Sequence, residues 1–279
     1  MALATEWQKK IKTFLINIVA DVAFIIGIIV YIIPFLILLA MSLGANVTAG
    51  RFIPHQPRFD GYITIFTHPA FSLWLLNSVI FTVTVTAGSI VISTLAGYAL
   101  SRLDFPGKGI LFWFILGIMM IPGIVAYLPL YIQLAKMKIL GTYIALLIPP
   151  MSSPYNVFML KQAFDAIPRD YEEAALIDGA GTSTILFKVH LPIIRPVLTT
   201  LILFNIVWNW NNFGWPLFIA TRTTLWNLPL GIWNLTWSYT VNFWNLAAGA
   251  VILFLPPLIL YIVAMEYYLR GITVTGLKK

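Results

Sequence analysis

The side chains able to do chemistry in this chain of 279 residues are few and scattered. His55, His68 and His190 fall in separate segments. None sits in an H-E-x-x-H pair that would hold zinc, and no serine motif for acyl transfer accompanies them. The chain has no cysteine, which removes disulfides and thiolate metal sites. Gly179-Ala180-Gly181-Thr182-Ser183 has the small residues of a phosphate cradle, but it lacks the lysine and the spacing of G-x-x-x-x-G-K-[ST] and follows an expected helix rather than a strand. The reading is of a non-enzyme that binds no cofactor and no metal itself. Any ATP it depends on must sit on another chain.

Two clusters remain. Seven of the ten tryptophans (208, 210, 215, 226, 233, 237, 244) and eight asparagines (205, 209, 211, 212, 227, 234, 242, 245) lie between 205 and 245. Tryptophans in loops at a membrane surface form interfacial belts. The run Trp208-Asn209-Trp210-Asn211-Asn212 differs, because an amide inside an apolar segment needs a partner or a wet cavity. Ring faces beside amide donors and acceptors suit a neutral polyol such as a sugar. The same asparagines could instead bond neighbouring helices, an interaction of about 1–2 kcal/mol in model peptides. On sequence alone both readings stand.

The second cluster is charged. Residues 161–195 hold nine charged side chains, a third of those in the chain. Pro168 suits a first helical position, Asp170 and Glu172 complement the dipole in the first turn, and Gly179 stands where a left-handed residue ends a helix. The pattern predicts a short helix over 168–178, with Tyr171, Ala174, Ala175 and Asp178 on one face. A second short helix, capped by Thr182 or Ser183, runs through Ile185, Leu186 and Val189 until Pro192 disrupts it. This segment reads either as a plain linker or as an element that docks a partner.

What must position these clusters follows from composition. The chain is 60% hydrophobic and 10% charged, which excludes an ordinary soluble domain. Six charge-free runs, 22–50, 61–101, 109–135, 139–160, 196–221 and 223–265, are each long enough to cross a bilayer. The expected spans are 14–43, 71–101, 109–134, 140–160, 196–220 and 244–268, with Pro34, Pro122, Pro129, Pro149, Pro150, Pro154, Pro216, Pro256 and Pro257 bending them around a cavity. The first apolar stretch is too long for a cleavable signal and reads as a retained helix. Asp21, near its cytoplasmic end, reads as a snorkelling or packing residue. Placing both termini in the cytoplasm puts twelve Lys and Arg inside and five outside. The net charge of +7 is thus topology in a cell membrane, and not a nucleic-acid footprint.

An ion-coupled secondary transporter is a rival, although its expected midplane ionisable groups and inverted repeats are not evident here: Asp21 and Glu266 both lie near span ends. A membrane scaffold or assembly protein is a third possibility.

Glu173-Ala174-Ala175, Asp178-Gly179-Ala180, Leu191-Pro192 and Pro196 resemble the EAA loop of the inner-membrane permeases of binding-protein-dependent ABC importers. Arg102-Leu103-Asp104-Phe105-Pro106-Gly107, Met119-Met120-Ile121-Pro122, Leu128-Pro129-Leu130, the stretch from Trp208-Asn209 to Trp215-Pro216, and Arg270-Gly271 are similar to the carbohydrate branch of that family, so the resemblance covers about 70–279. It implies an all-α, six-span, MetI-like permease fold. The divisions are a cytoplasmic N-terminus at 1–13, a first span with its extracytoplasmic loop at 14–70, a permease core at 71–270 containing the coupling loop 161–195, and a tail at 271–279. It implies a second permease as partner, two cytoplasmic ATPase subunits holding ATP and Mg, and an extracytoplasmic solute-binding protein facing 44–70 and 221–243. The cargo implied is an oligosaccharide or related polyol, or a glycerol-phosphate-type solute. Glu173 then becomes an ion-pairing carboxylate towards the ATPase, Ala174 and Ala175 the close-contact surface, and Gly179 the turn setting the second helix, with Asp178, Leu191 and Pro192 completing the loop.

Overall fold

The computed structural model describes residues 2–45, 50–54, 56–237 and 243–276. His55, Asn242, Lys278 and Lys279 lie outside the described residues, as do the side chains of Lys9, Lys10, Lys12, Glu266 and Arg270. The described residues form helices and turns with no strand. They divide into two compact units, one made of Met1–Thr67 with Thr236–Ile252 and the other of His68–Leu235 with Leu253–Lys279.

In the first unit α1 (Ala2–Ser42) carries Pro34 without interruption, and Asp21 is exposed on it. Its last turn is tied to α2 (Asp60–Phe66) where the Ser42 hydroxyl bonds the Leu39 carbonyl and the Tyr62 hydroxyl, each at 2.7 Å. Arg58 pairs with Asp60 at 2.9 Å and lies 5.1 Å from the centre of the Trp244 ring. Gly61 backs closely onto the Trp244 carbonyl and Ala248.

The second unit is built on α3 (Phe71–Arg102). Its buried face is mostly small or hydroxylic, with Ser78, Thr82, Thr86, Ser89, Ser93, Gly97 and Ser101 recurring every three or four residues. That spacing keeps them on one side of a helix, and small residues let other backbones come close, the main means of helix packing where lipid removes the hydrophobic drive. Against α3 pack α7 (Pro154–Asp165) and α11 (Arg195–Trp210). A Cβ on Gly97 would stand 3.0 Å from the Lys161 backbone nitrogen, so any side chain there needs the α7 backbone to give by a few tenths of an ångström.

Between these long elements the chain is broken where the prolines stand. After α4 (Lys108–Met119), Pro122 opens a 3-10 turn, Gly123–Ala126, that leads into α5 (Tyr127–Lys136); the two arms are bent by 100°. The stretch expected as one span at 140–160 is instead α6 (Tyr143–Leu147), a 3-10 turn at Pro149–Met151 and then α7. Thr142 caps α6 through the Ala145 amide, and Ser153 caps α7 through the Asn156 amide. Pro150 and Pro154 withhold amide hydrogens that a continuous helix would need. Among the described residues three helices are long and apolar enough to cross a bilayer, Asn17–Ser42, Phe71–Arg102 and Phe243–Met265, and two bent pairs bring the number to five.

The polar loop follows α7 as α8 (Asp170–Ile177), α9 (Thr182–Thr184), a π-helical turn at Ile185–His190 and α10 (Leu191–Ile193), after which α11 turns away by 79°. The second short helix is irregular ahead of Pro192 and is followed by the bend. Pro192 occupies the first turn of α10, and the preceding π-helical turn, with its longer hydrogen-bond span, absorbs the irregularity. The remaining helices are α12 (Gly214–Ile219), α13 (Leu228–Trp237) and α14 (Phe243–Gly276), the last continuous through Pro256 and Pro257.

Gly97→Val is expected to wedge α7 away from α3. Overpacking of this kind costs about 1–3 kcal/mol, so the detergent-solubilised protein should melt several degrees lower. An unchanged melting temperature would contradict the close packing.

Candidate functional site

One guanidinium ties three points of the charged loop to α3. Arg102, the last residue of α3, has a side chain only 5% exposed. Its Nη2 donates to the carbonyls of Phe164 and, at 2.6 Å, of Ile167, while its Nη1 lies 3.6 Å from Glu172 Oε2 on α8. Beside it the Ser101 hydroxyl donates to Asp165 at 2.5 Å, and Asp165 also accepts from Lys161 at 2.5 Å. Burial alone would raise the Asp165 carboxyl. The hydrogen bonds from Lys161 and Ser101, with the positive charge of Lys161 and Arg102, outweigh it and hold the group below the usual carboxylate range. Behind these groups His190 is fully buried among Tyr98 and Phe164, with neither ring nitrogen hydrogen-bonded.

The helix of the loop is two residues shorter at its start and one at its end than the sequence pattern suggests. Pro168 precedes it, and Arg169 occupies the N-cap. Its C-terminus ends on Gly179, at φ +80°, with the Ala180 amide bonding the Ala175 carbonyl and the Gly179 amide the Leu176 carbonyl. That reciprocal pair satisfies two carbonyls a helix end otherwise leaves open. No residue of α8 is buried. Tyr171, Glu173, Ala174, Leu176, Ile177 and Asp178 are exposed, Ile177 at 86%, whereas Ala175 is half-buried. Leu191 packs partly against the cluster of Tyr98, Leu160, Phe164, Ile167, Leu186, Ile194 and Leu201; Pro192 is exposed.

The Trp/Asn run divides in two. Trp208, Asn211 and Asn212 line a cavity of about 850 Å³ with Tyr127, Phe204 and Tyr261, its wall mainly aromatic and aliphatic. Trp208 is 76% exposed. Asn209 and Trp210 point elsewhere and do not line it. Asn209 is buried, its amide donating to the Thr86 hydroxyl at 3.1 Å, and Trp210 donates from its indole to the Leu253 carbonyl at 3.0 Å. The Asn212 side chain accepts from the Trp215 amide, and its carbonyl accepts from Asn227 at 2.6 Å.

Asn77 and Asn156, which the sequence pattern does not single out, clasp the helices together with Asn205 of the Trp/Asn-rich stretch. Asn156 on α7 and Asn205 on α11 exchange amide hydrogen bonds at 3.1 and 3.2 Å, and Asn156 also donates to Ser89 on α3. Asn77 near the other end of α3 donates to the Thr224 and Trp226 carbonyls at 2.9 Å and accepts from the Tyr143 hydroxyl at 2.7 Å. The available signal was the hydroxyl-and-small stripe of α3 itself, which marks a face too polar for lipid. Among the described residues no group of His, Asp or Glu is placed to hold a metal ion.

An all-helical chain with several helices apolar enough to cross a bilayer, and with a charged helical loop outside them, is an integral membrane protein. Comparison with known proteins places it further. The chain belongs to the family described as binding-protein-dependent transport system inner membrane component, whose model matches residues 89–274. It is 34% identical over 228 residues to an arabinooligosaccharides transport system permease protein, AraQ, of Halalkalibacterium halodurans, covering 81% of this chain and 82% of that protein. It is 31% identical to an sn-glycerol-3-phosphate transport system permease protein, UgpE, of Yersinia pestis over 72% of this chain and 73% of that one. A diacetylchitobiose uptake system permease protein, NgcG, of Streptomyces coelicolor is 30% identical, with 84% and 80% covered. In structure it is similar to a chain from a bacterial ABC transporter involved in import of the acidic polysaccharide alginate, with a TM-score of 0.78 at 22% identity, covering 91% and 96% of the two chains. The relatives are transport permeases and not enzymes.

A carboxyl held low in the folded state contributes stability above its unfolded pKa of about 3.9 and loses it as pH falls through the folded value. Asp165→Asn is therefore expected to lower the melting temperature at pH 7 and to flatten its decline below pH 4. An acid profile identical to the parent's would show that Asp165 contributes nothing.

Proposed function

We propose that this chain is a permease subunit of an ATP-driven importer that passes an oligosaccharide or related polyol across the cell membrane. The observation that carries the reading is α8: a well-ended helix with no buried residue that turns Tyr171, Ala174, Leu176 and Ile177 to solvent beside the exposed Glu173. Apolar side chains exposed around a charge make a docking surface without its partner. In this reading α8 sits in a cleft of a cytoplasmic ATPase subunit that holds ATP and Mg, Glu173 makes the ion pair across that contact, and Ala174 brings the backbones together. Gly179 fixes the direction in which the π-helical segment and Leu191-Pro192 leave.

The cavity lined by Trp208, Asn211 and Asn212 supports a sugar as cargo, because aromatic faces beside amides orient a neutral polyol without an ion pair. The names of the relatives at 34% and 30% identity point the same way. A glycerol-phosphate-type cargo is the second reading, favoured by the 31% identity to UgpE. The chain works with a second permease, whose surface completes the path, and receives its cargo from a solute-binding protein at the extracytoplasmic segments 44–70 and 221–243. Both termini face the cytoplasm in this reading, which the Lys and Arg distribution supports.

The test is to purify the tagged protein from its native membrane, identify its companions, and measure which binding protein, loaded with arabinooligosaccharide, diacetylchitobiose or glycerol 3-phosphate, stimulates ATP hydrolysis. Recovery of this chain with no ATPase would overturn the reading. Truncating one partner of a desolvated charge pair costs about 2–5 kcal/mol, so Glu173→Ala is expected to stay membrane-inserted but lose both the ATPase and uptake. Gly179→Trp should do the same, since φ +80° strains any side chain there. Normal uptake by both variants would contradict the assignment of α8.

A further inference from the structure

We infer that Arg102 is a positioning residue that ties α8 to α3, so that displacement of α8 enters the membrane through the Arg102–Glu172 pair. This rests on the coupling role proposed for α8 above.

The loop offers α8 little other restraint. None of its residues is buried, and it contacts the π-helical turn at Ile185–His190. Within that turn Ile185, Leu186 and His190 are buried, and His190 offers no hydrogen bond from either ring nitrogen. An apolar contact of that kind resists compression but allows sliding. The guanidinium is different in kind. It is buried, fixed at the end of the longest helix of its unit, and it holds three successive points of the loop: the end of α7 at Phe164, the linker at Ile167 and the first turn of α8 at Glu172. One nitrogen donates to two carbonyls while the other faces the Glu172 carboxylate as an ion pair, an arrangement that suits the flat fork of arginine and that a lysine ammonium does not reproduce. Glu172 and its neighbour Glu173 thereby divide the work. The first faces inward to Arg102, and the second faces outward.

The chain has no cysteine of its own, so a single introduced one reports its surroundings cleanly. Trp208→Cys places the reporter on the cavity wall. In proteoliposomes containing the co-purified complex, its modification by a charged maleimide is read as a mass shift on this chain, with and without Mg-ATP and vanadate. Trapping the nucleotide is expected to change the reactivity by about fivefold or more in the parent. In Glu172→Gln and in Arg102→Lys that change should vanish, while the ATPase still co-purifies and hydrolyses ATP within about twofold of the parent rate.

A nucleotide-driven change of parental size in either variant would overturn the inference. So would loss of the ATPase from Glu172→Gln, which would make the pair a docking contact. Absence of any change in the parent, or absence of an ATPase from the complex, would instead overturn the functional reading and this inference with it.

Discussion

How near two helices can come to α3 decides the architecture of the larger unit. A bilayer supplies no hydrophobic drive between apolar helices, so association depends on van der Waals fit and on polar groups that lipid cannot satisfy. The stripe from Ser78 to Ser101 provides both. Gly97 lets the backbone of α7 approach at Leu160 and Lys161, Ser89 meets Asn156, and Thr86 meets Asn209. Once α7 and α11 are held there, the Asn156–Asn205 exchange closes the triangle, and both elements leave in fixed directions. α7 runs into the charged loop and α11 carries the wall of the cavity. The proposed force-receiving and cargo-facing surfaces are therefore outgrowths of one packing face.

Irregular backbone occurs where it can be tolerated. The 100° break at Pro122 and the pieces at Tyr143–Leu147 and Pro149–Met151 would leave open carbonyls in lipid. Side chains satisfy some of these backbone groups: Trp215 donates its indole to the Leu146 carbonyl at 2.9 Å, and the Thr142 and Ser153 hydroxyls accept from the Ala145 and Asn156 amides at the start of the helices that follow. Phe81, Val85, Leu134, Ala145, Leu146, Trp215 and Ile219 pack together around this region. The piece at Tyr143–Leu147 is thus packed against protein at Ala145 and Leu146, whereas the turn after Pro122 is exposed.

The sequence was legible where a local rule decides the outcome. Gly179 ends α8 in the left-handed region as its position requires, and Pro122 and Pro149 interrupt their helices. It was not legible where the outcome depends on something distant. Glu172 and Glu173 are adjacent and chemically alike, and only Arg102, far upstream, determines which turns inward. In the same way Asn209 and Asn211 look equivalent within one aromatic run, but Thr86 claims the first and leaves the second at the cavity. Charge-free length measures what lipid would accept, and 140–160 satisfies that measure as α6, a 3-10 turn and α7 rather than as one helix.

α3 is clamped at both ends by side chains that grip backbone carbonyls, Asn77 on Thr224 and Trp226 at one end and Arg102 on Phe164 and Ile167 at the other. At a rise of 1.5 Å per residue the two grips stand about 37 Å apart, so a tilt of about 5° carries one end some ~3 Å relative to the other. That displacement is comparable to the length of a hydrogen bond. In the coupling proposed above, a helix gripped in this way would need no chain of side-chain rearrangements: a slight rotation at one end would be enough to make or break a polar contact at the other.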